Sequence, residues 1–147
     1  MSTDQEYGPS TWGWVARQVE QYEASGGTEA NTLMDTGIPI IIFTTTGHKS
    51  GLIRKVPLMR VEHEGVYALV ASKGGAPEHP GWYYNLKADP KIIMQDGPLP
   101  YETTVRELEG DEYDLWWERA VAVYADYADY KVKAGDRQIP VFLTAPQ

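Results

Sequence analysis

The segment Thr44-Thr45-Thr46-Gly47-His48-Lys49-Ser50-Gly51-Leu52-Ile53-Arg54-Lys55 gathers hydroxyls, glycines and cations, the residue types that bind anions. No acidic residue falls between Asp35 and Glu62, although the chain carries 21 Asp and Glu in 147 residues and a formal net charge of −8. Four of its 13 Lys and Arg (Lys49, Arg54, Lys55 and Arg60) lie within twelve positions. An acid-rich chain that clears carboxylates from one such stretch has the composition of a local anion site, for a phosphorylated or carboxylated ligand. Backbone N–H groups around Gly47 and Gly51 can converge on anionic oxygens where glycine takes positive φ. Lys49 and Arg54 add charge, Arg54 as a two-pronged donor, and Thr46 and Ser50 add hydroxyls. The competing reading is a solvated hairpin whose charges keep the surface soluble.

Three further clusters carry candidate chemistry. In Ala71-Ser72-Lys73-Gly74-Gly75-Ala76 the small residues let backbone approach a flat ligand, with Ser72 and Lys73 meeting it at a strand end. An ordinary strand-to-helix loop is the alternative. In Pro80-Gly81-Trp82-Tyr83-Tyr84-Asn85-Leu86, Trp82 and Asn85 share a helix face. Trp82 is expected in the core, and Asn85 can tie its helix to a neighbouring loop. Tyr124, Tyr127 and Tyr130 follow one edge of the last helix, where phenols can line a cleft and exchange hydrogen bonds or a proton. Tyr124 serves structure equally well, so Tyr130, near the helix end, is the stronger functional candidate. His48, His63 and His79 show no metal-ligand spacing, and neither a zinc site nor a Ser–His–Asp triad is expected.

The elements that must position these groups follow from periodicity. Residues 1–9 read as a loose tail. Ser10 is placed to cap a helix carrying Trp12, Val15, Val19 and Tyr22, which Gly26-Gly27 ends. Its exposed face sets Glu20 and Glu23 against Arg17, so any attraction to anionic lipid is weak. Strands are predicted over 38–43, 54–62, 66–71, 91–95, 101–108 and 139–143, with Pro57 marking an edge or bulge and Glu64-Gly65 a tight turn. A helix runs from Pro80 at its first position to before Pro90. Another, capped by Asp111, carries Tyr113, Trp116, Trp117, Ala120, Val121 and Tyr124 on one stripe. Together these predict an α+β fold, a small barrel of about six mainly antiparallel strands with peripheral helices. The expected division is a tail and amphipathic helix over 1–30 and one domain over 31–147.

Composition bounds the function. Without cysteine there is no disulfide, thiolate metal site or Cys nucleophile, which fits a reducing cytoplasm. The acidic N-terminus lacks the apolar run of a signal peptide, and the apolar stretch 38–43 is too short to span a bilayer. An acidic chain is also a poor non-specific binder of nucleic acid. Five Trp and ten Tyr against two Phe favour rings with one hydrogen-bonded end, as in a ligand cleft, although core packing uses them too. The expected location is the cytoplasm, with weak membrane contact through the N-terminal helix as the variant. The oligomeric state stays open.

The order and spacing of these clusters carry more information than any one of them. Thr44 to Gly51, then Arg54 and Pro57-Leu58, then Ala71 to Gly75, then Pro80-Gly81-Trp82-Tyr83-Tyr84-Asn85-Leu86-Lys87-Ala88-Asp89-Pro90, resemble the deazaflavin-dependent nitroreductase family. Asp136-Arg137-Gln138-Ile139-Pro140-Val141 also matches its closing strand, and the resemblance spans residues 36 to 145. It implies a split β-barrel, related to flavin reductases and pyridoxamine oxidases. It also implies use of coenzyme F420 (8-hydroxy-5-deazaflavin), whose tail carries a phosphodiester and a polyglutamate. On that footing Lys49 and Arg54 hold the tail, assisted by Thr46 and Ser50. Ser72, Lys73, Gly74 and Gly75 sit beside the ring system, with Trp82 counted among the cofactor-binding residues. Tyr124, Tyr127 and Tyr130 match tyrosines on the substrate side, Tyr130 being the first choice for bonding the acceptor. The implied reaction is hydride transfer from the reduced deazaflavin to a quinone, nitroaromatic or activated enone. Met59 and Gly81 stand where some relatives have bulkier side chains, so substrate range does not carry over. An FMN-dependent split-barrel reductase, or a non-catalytic binder of deazaflavin or haem, are the alternatives.

Overall fold

The apolar run of the first strand continues into the threonines: β1 spans Ile40–Thr46 and is buried along almost its whole length. Both of its faces are covered, which is why its sequence does not alternate. Ile41 and Phe43 point to a core shared with Leu69, Leu86, Ile92, Met94 and Phe142. Ile40 and Ile42 meet Val19 and Tyr22 of α1 (Gly13–Ala24). The computed structural model describes residues 7–8, 13–33 and 36–146, so the capping role of Ser10 and the place of Trp12 lie outside the described residues.

Six more strands follow: β2 (Ile53–Met59), β3 (Val61–His63), β4 (Val66–Val70), β5 (Lys91–Gln95), β6 (Tyr101–Glu107) and β7 (Val141–Thr144). All neighbours are antiparallel, in the order β2-β1-β5-β6-β7-β4-β3. The single strand predicted over 54–62 is therefore two. β2 and β3 stand at opposite ends of the sheet yet are joined by Arg60 alone, so the chain itself carries one edge round to the other and curls the sheet into a half-barrel. Arg60 secures that corner. Its N–H donates to the Pro39 carbonyl at 2.8 Å, and its guanidinium reaches Asp96 at 2.7 Å and Glu62 at 3.0 Å. Tyr67 donates to the same Asp96 oxygen at 2.6 Å. Pro57 lies in β2, the outermost strand, as a residue without a ladder N–H should.

Helix α2 covers Gly81–Ala88, with Pro80 as its N-cap rather than its first residue. Helix α3 covers Gly110–Val123 and is preceded by Glu109; Asp111 lies inside the first turn, where it favours the positive helix end without capping it. The predicted last helix breaks at Tyr124, whose φ of −139° and ψ of 96° are extended, and α4 restarts over Asp126–Lys133. The two helices share a second core with β3, β4 and β7, in which Tyr113 donates to the Ile139 carbonyl at 2.6 Å.

Helix α1 packs on its own protein: Val19 and Tyr22 are each 1% exposed, and Tyr22 accepts a bond from Gly97 N–H at 2.8 Å. No helix among the described residues is long and apolar enough to cross a membrane.

Candidate functional site

The β1–β2 hairpin holds the acid-free turn. Gly47 N–H donates to Leu52 O at 2.7 Å and Gly51 N–H to Gly47 O at 2.9 Å, closing the loop. Gly51 takes the left-handed φ of 73° that favours glycine. Gly47 does not, contrary to the sequence expectation; it is small because a Cβ there would lie 2.8 Å from Ser50 Oγ and 3.3 Å from Leu52 O. Asn85, 6% exposed on α2, fixes the turn from below, as its position suggested. Its Oδ1 accepts both the His48 backbone N–H at 2.9 Å and the His48 ring Nδ1 at 2.6 Å.

The fold sorts the four clustered cations into two kinds. Lys55 is bonded to both carboxylate oxygens of Glu23, at 2.9 and 2.8 Å, and Arg60 is engaged at the barrel corner. Lys49 and Arg54 have no carboxylate partner among the described residues. Arg54 donates one N–H to Gly8 O at 2.9 Å. Both border one hollow of about 540 Å³, together with Ser50, Gly47, Asn85, Trp82 and the paired Lys55.

A second hollow of about 550 Å³ adjoins it. Val15, Val56, Pro57 and Trp82 line both, so the two form a single cleft over β2, roofed in part by α1. Trp82 is thus core and cleft wall at once, standing edge-on to Phe43 at 5.1 Å between ring centres. Ser72, Lys73 and Gly74 enter at the far end, facing Tyr124 and Tyr130. The two phenol oxygens are 3.0 Å apart. That bond, followed by burial and Asp126, pushes the Tyr124 phenol well above its ordinary value, so it stays protonated at neutral pH.

Not every candidate residue reaches the cleft. Tyr127 is 1% exposed and packs edge-on behind Tyr124, 5.1 Å between ring centres, because the break at Tyr124 takes it off the shared edge the sequence suggested. Thr46 pairs with Ile53 at the hairpin base and lines neither hollow. Lys73 joins Glu78 at 3.1 Å. Gly75 is buried against α4: a Cβ there would lie 2.8 Å from Tyr130 O and 3.0 Å from Tyr130 Cα, and its φ is 80°. Gly75→Ala is accordingly expected to cost at least about 1–2 kcal/mol of stability in a denaturant melt through the left-handed backbone alone. Conversely, Val15 and Trp14 of α1 and the β2 pair Val56-Pro57 were not visible as cleft residues; apolar side chains on a periodic stripe look the same whether they meet a core or a ligand.

Among the described residues no cluster of His, Asp and Glu gathers that could hold a metal ion. The sequence model of the F420H(2)-dependent quinone reductase family matches residues 14–146. An F420H(2)-dependent quinone reductase of Mycobacterium tuberculosis is 34% identical over 106 residues, covering 70% of each chain. A solved F420-H2 dependent reductase, FDR-A, is 56% identical with a TM-score of 0.68, covering 73% of this chain and 94% of its own. A protein of the pyridoxinephosphate oxidase family from Clostridium acetobutylicum, 16% identical with a TM-score of 0.51 and covering 72% of this chain and 74% of its own, shares the fold alone. The chain therefore belongs to the F420H(2)-dependent quinone reductase family, split-barrel oxidoreductases whose hydride donor is reduced coenzyme F420.

Proposed function

We propose that the chain reduces a quinone with hydride from reduced F420, and that nitroaromatics and activated enones serve as further acceptors. The observation that carries this reading is the single cleft, cationic at one end and phenolic at the other. The residues present fit the cofactor: Lys49 and Arg54 are free of described carboxylates where a polyanionic tail would lie, and apolar Val56, Pro57 and Trp82 separate them from the Ser72 to Gly74 backbone. When bound, the deazaflavin supplies two-electron hydride chemistry at carbon. In this assignment Lys49, Arg54 and Ser50 draw in and hold the tail. Ser72, Lys73 and Gly74 flank the ring, while Trp82 and the β2 side chains keep water from it. Tyr130 donates a hydrogen bond to the acceptor oxygen, and Tyr124 orients the Tyr130 phenol from behind.

FMN, with one short phosphate tail, would leave much of the cationic end without a ligand. For a haem carrier, His63 and His79 lie outside the cleft lining, whereas His48, whose Nδ1 is held by Asn85, keeps its Nε2 at the cationic end, so titration is what separates haem from F420. Peripheral membrane contact through α1 gains no support, since Val19 and Tyr22 of the helix are packed into the protein's own core. Titration of the purified protein with F420, FMN and haem, followed by turnover of menadione with reduced F420, tests the assignment. Saturable F420 binding with menadione-dependent oxidation of reduced F420 is expected. Tight FMN binding with none for F420 would defeat it.

A further inference from the structure

Arg137 lies between α4 and β7, outside both cleft linings, and all of its observed partners are neutral. Its Nε donates to Ala76 O at 2.8 Å and its Nη2 to Ser72 O at 2.7 Å. Nη1 donates to Ala71 O at 3.1 Å and to the ring Nδ1 of His79 at 2.9 Å. No described carboxylate pairs with it. A half-buried guanidinium without a bonded counter-charge, Glu78 acting on it only from beyond ion-pair distance, is unfavourable unless fixed acceptors replace its water, and here three carbonyls and an imidazole do so.

All four acceptors belong to one segment, residues 71–79. That segment holds three consecutive left-handed residues, Lys73 at φ 46°, Gly74 at 63° and Gly75 at 80°. Lys73 carries a side chain there, a conformation that persists only where its surroundings impose it. The bonds within the segment are few: Gly75 N–H to Ser72 O at 2.9 Å, Ala76 N–H to Lys73 O at 3.1 Å, and the exposed Lys73–Glu78 pair at 3.1 Å. Arg137 clamps the two ends of this bend together. One side of the bend presents Ser72, Lys73 and Gly74 to the cleft, and the other side, Gly75, abuts the Tyr130 backbone. A shift of the bend therefore moves the wall and the phenol together.

We propose that Arg137 is a positioning residue whose fork of donors sets the 71–79 bend, and through it both the ring-side wall of the cleft and the placement of Tyr130. The catalytic half of this inference rests on the F420-dependent reading above, whereas the effect on the bend does not. In ligand-free Arg137→Ala, amide hydrogen exchange at Gly75 and Ala76 should rise at least about tenfold while β1 amides are unchanged. With F420 and menadione, kcat should fall about tenfold while the F420 dissociation constant, governed by the tail end, moves less than about threefold. Ethylguanidinium should restore both readouts, and ethylammonium, lacking the planar fork, neither. Should Arg137→Ala fail to fold, Arg137→Lys keeps the charge and length without the fork, and the same exchange increase is expected. Unchanged exchange at Gly75 and Ala76, or a lowered Tm with kcat intact, would overturn the proposal. A wild-type protein inactive with reduced F420 would refute the functional reading, yet the exchange experiment would still report on the bend.

Discussion

Lys49→Glu should weaken F420 binding by about 1.5–3 kcal/mol, the scale of a lost charged hydrogen bond, or roughly 10- to 150-fold in Kd. The side chain is exposed and has no described partner, so the substitution removes nothing that holds the fold, and Tm should stay put. It does place a carboxylate in the hollow that Arg54 and Lys55 also line, where it competes with the ligand's anionic groups. The wild-type Kd should rise with ionic strength because exposed charges are screened, and this dependence should flatten in the variant. Fluorescence titration at two salt concentrations reads both effects. Arg60→Gln is the contrast: it breaks the Asp96 and Glu62 bonds at the barrel corner, so its cost should appear in stability. An F420 Kd untouched by Lys49→Glu would remove the tail site from this turn.

That contrast marks where sequence and fold part. The acid-free stretch was legible because net charge and its gaps are properties of the chain. Which cations face a ligand was not, because Lys55 is neutralised by Glu23, 32 positions earlier, and Arg60 by Asp96, 36 positions later. Such pairings exist only once α1 lies on β2 and β5 follows β1. Strand existence was legible from β-branched runs, but closure was not: nothing at Arg60 resembles a turn, since neither Gly nor Pro stands there. The same holds for the α3–α4 break. Val123-Tyr124-Ala125 continues the apolar spacing of α3, and tertiary packing overrides it. Among the glycines, Gly51 follows the turn rule of positive φ, Gly75 combines positive φ with the close Tyr130 backbone that only the fold supplies, and Gly47 answers to Ser50 and Leu52 within its own turn. Asn85 was readable as a tie because a polar amide on the helix face it shares with Trp82 must find partners, but that the loop it ties is the basic turn was not, since His48 lies 37 positions earlier.

The break at Tyr124 also decides which phenol can act, and Tyr130→Phe tests that choice. It should lower kcat roughly 10- to 100-fold, the loss of one hydrogen bond to an oxygen that gains negative charge as hydride arrives. F420 affinity should change by less than about twofold, because the tail contacts lie at the other end of the cleft. Tyr124→Phe should cost less, since its hydroxyl meets Tyr130 rather than the acceptor. The double variant should then be little worse than Tyr130→Phe alone, for the two phenols form one bonded unit and their effects do not add. Strict additivity would mean that each hydroxyl meets the acceptor separately. Unaltered kcat in Tyr130→Phe, with menadione saturating, would strip the pair of its role and leave water as the proton source. In that event the 3.0 Å contact serves only to pin α4 to the end of α3, and its removal should register as a fall in Tm instead.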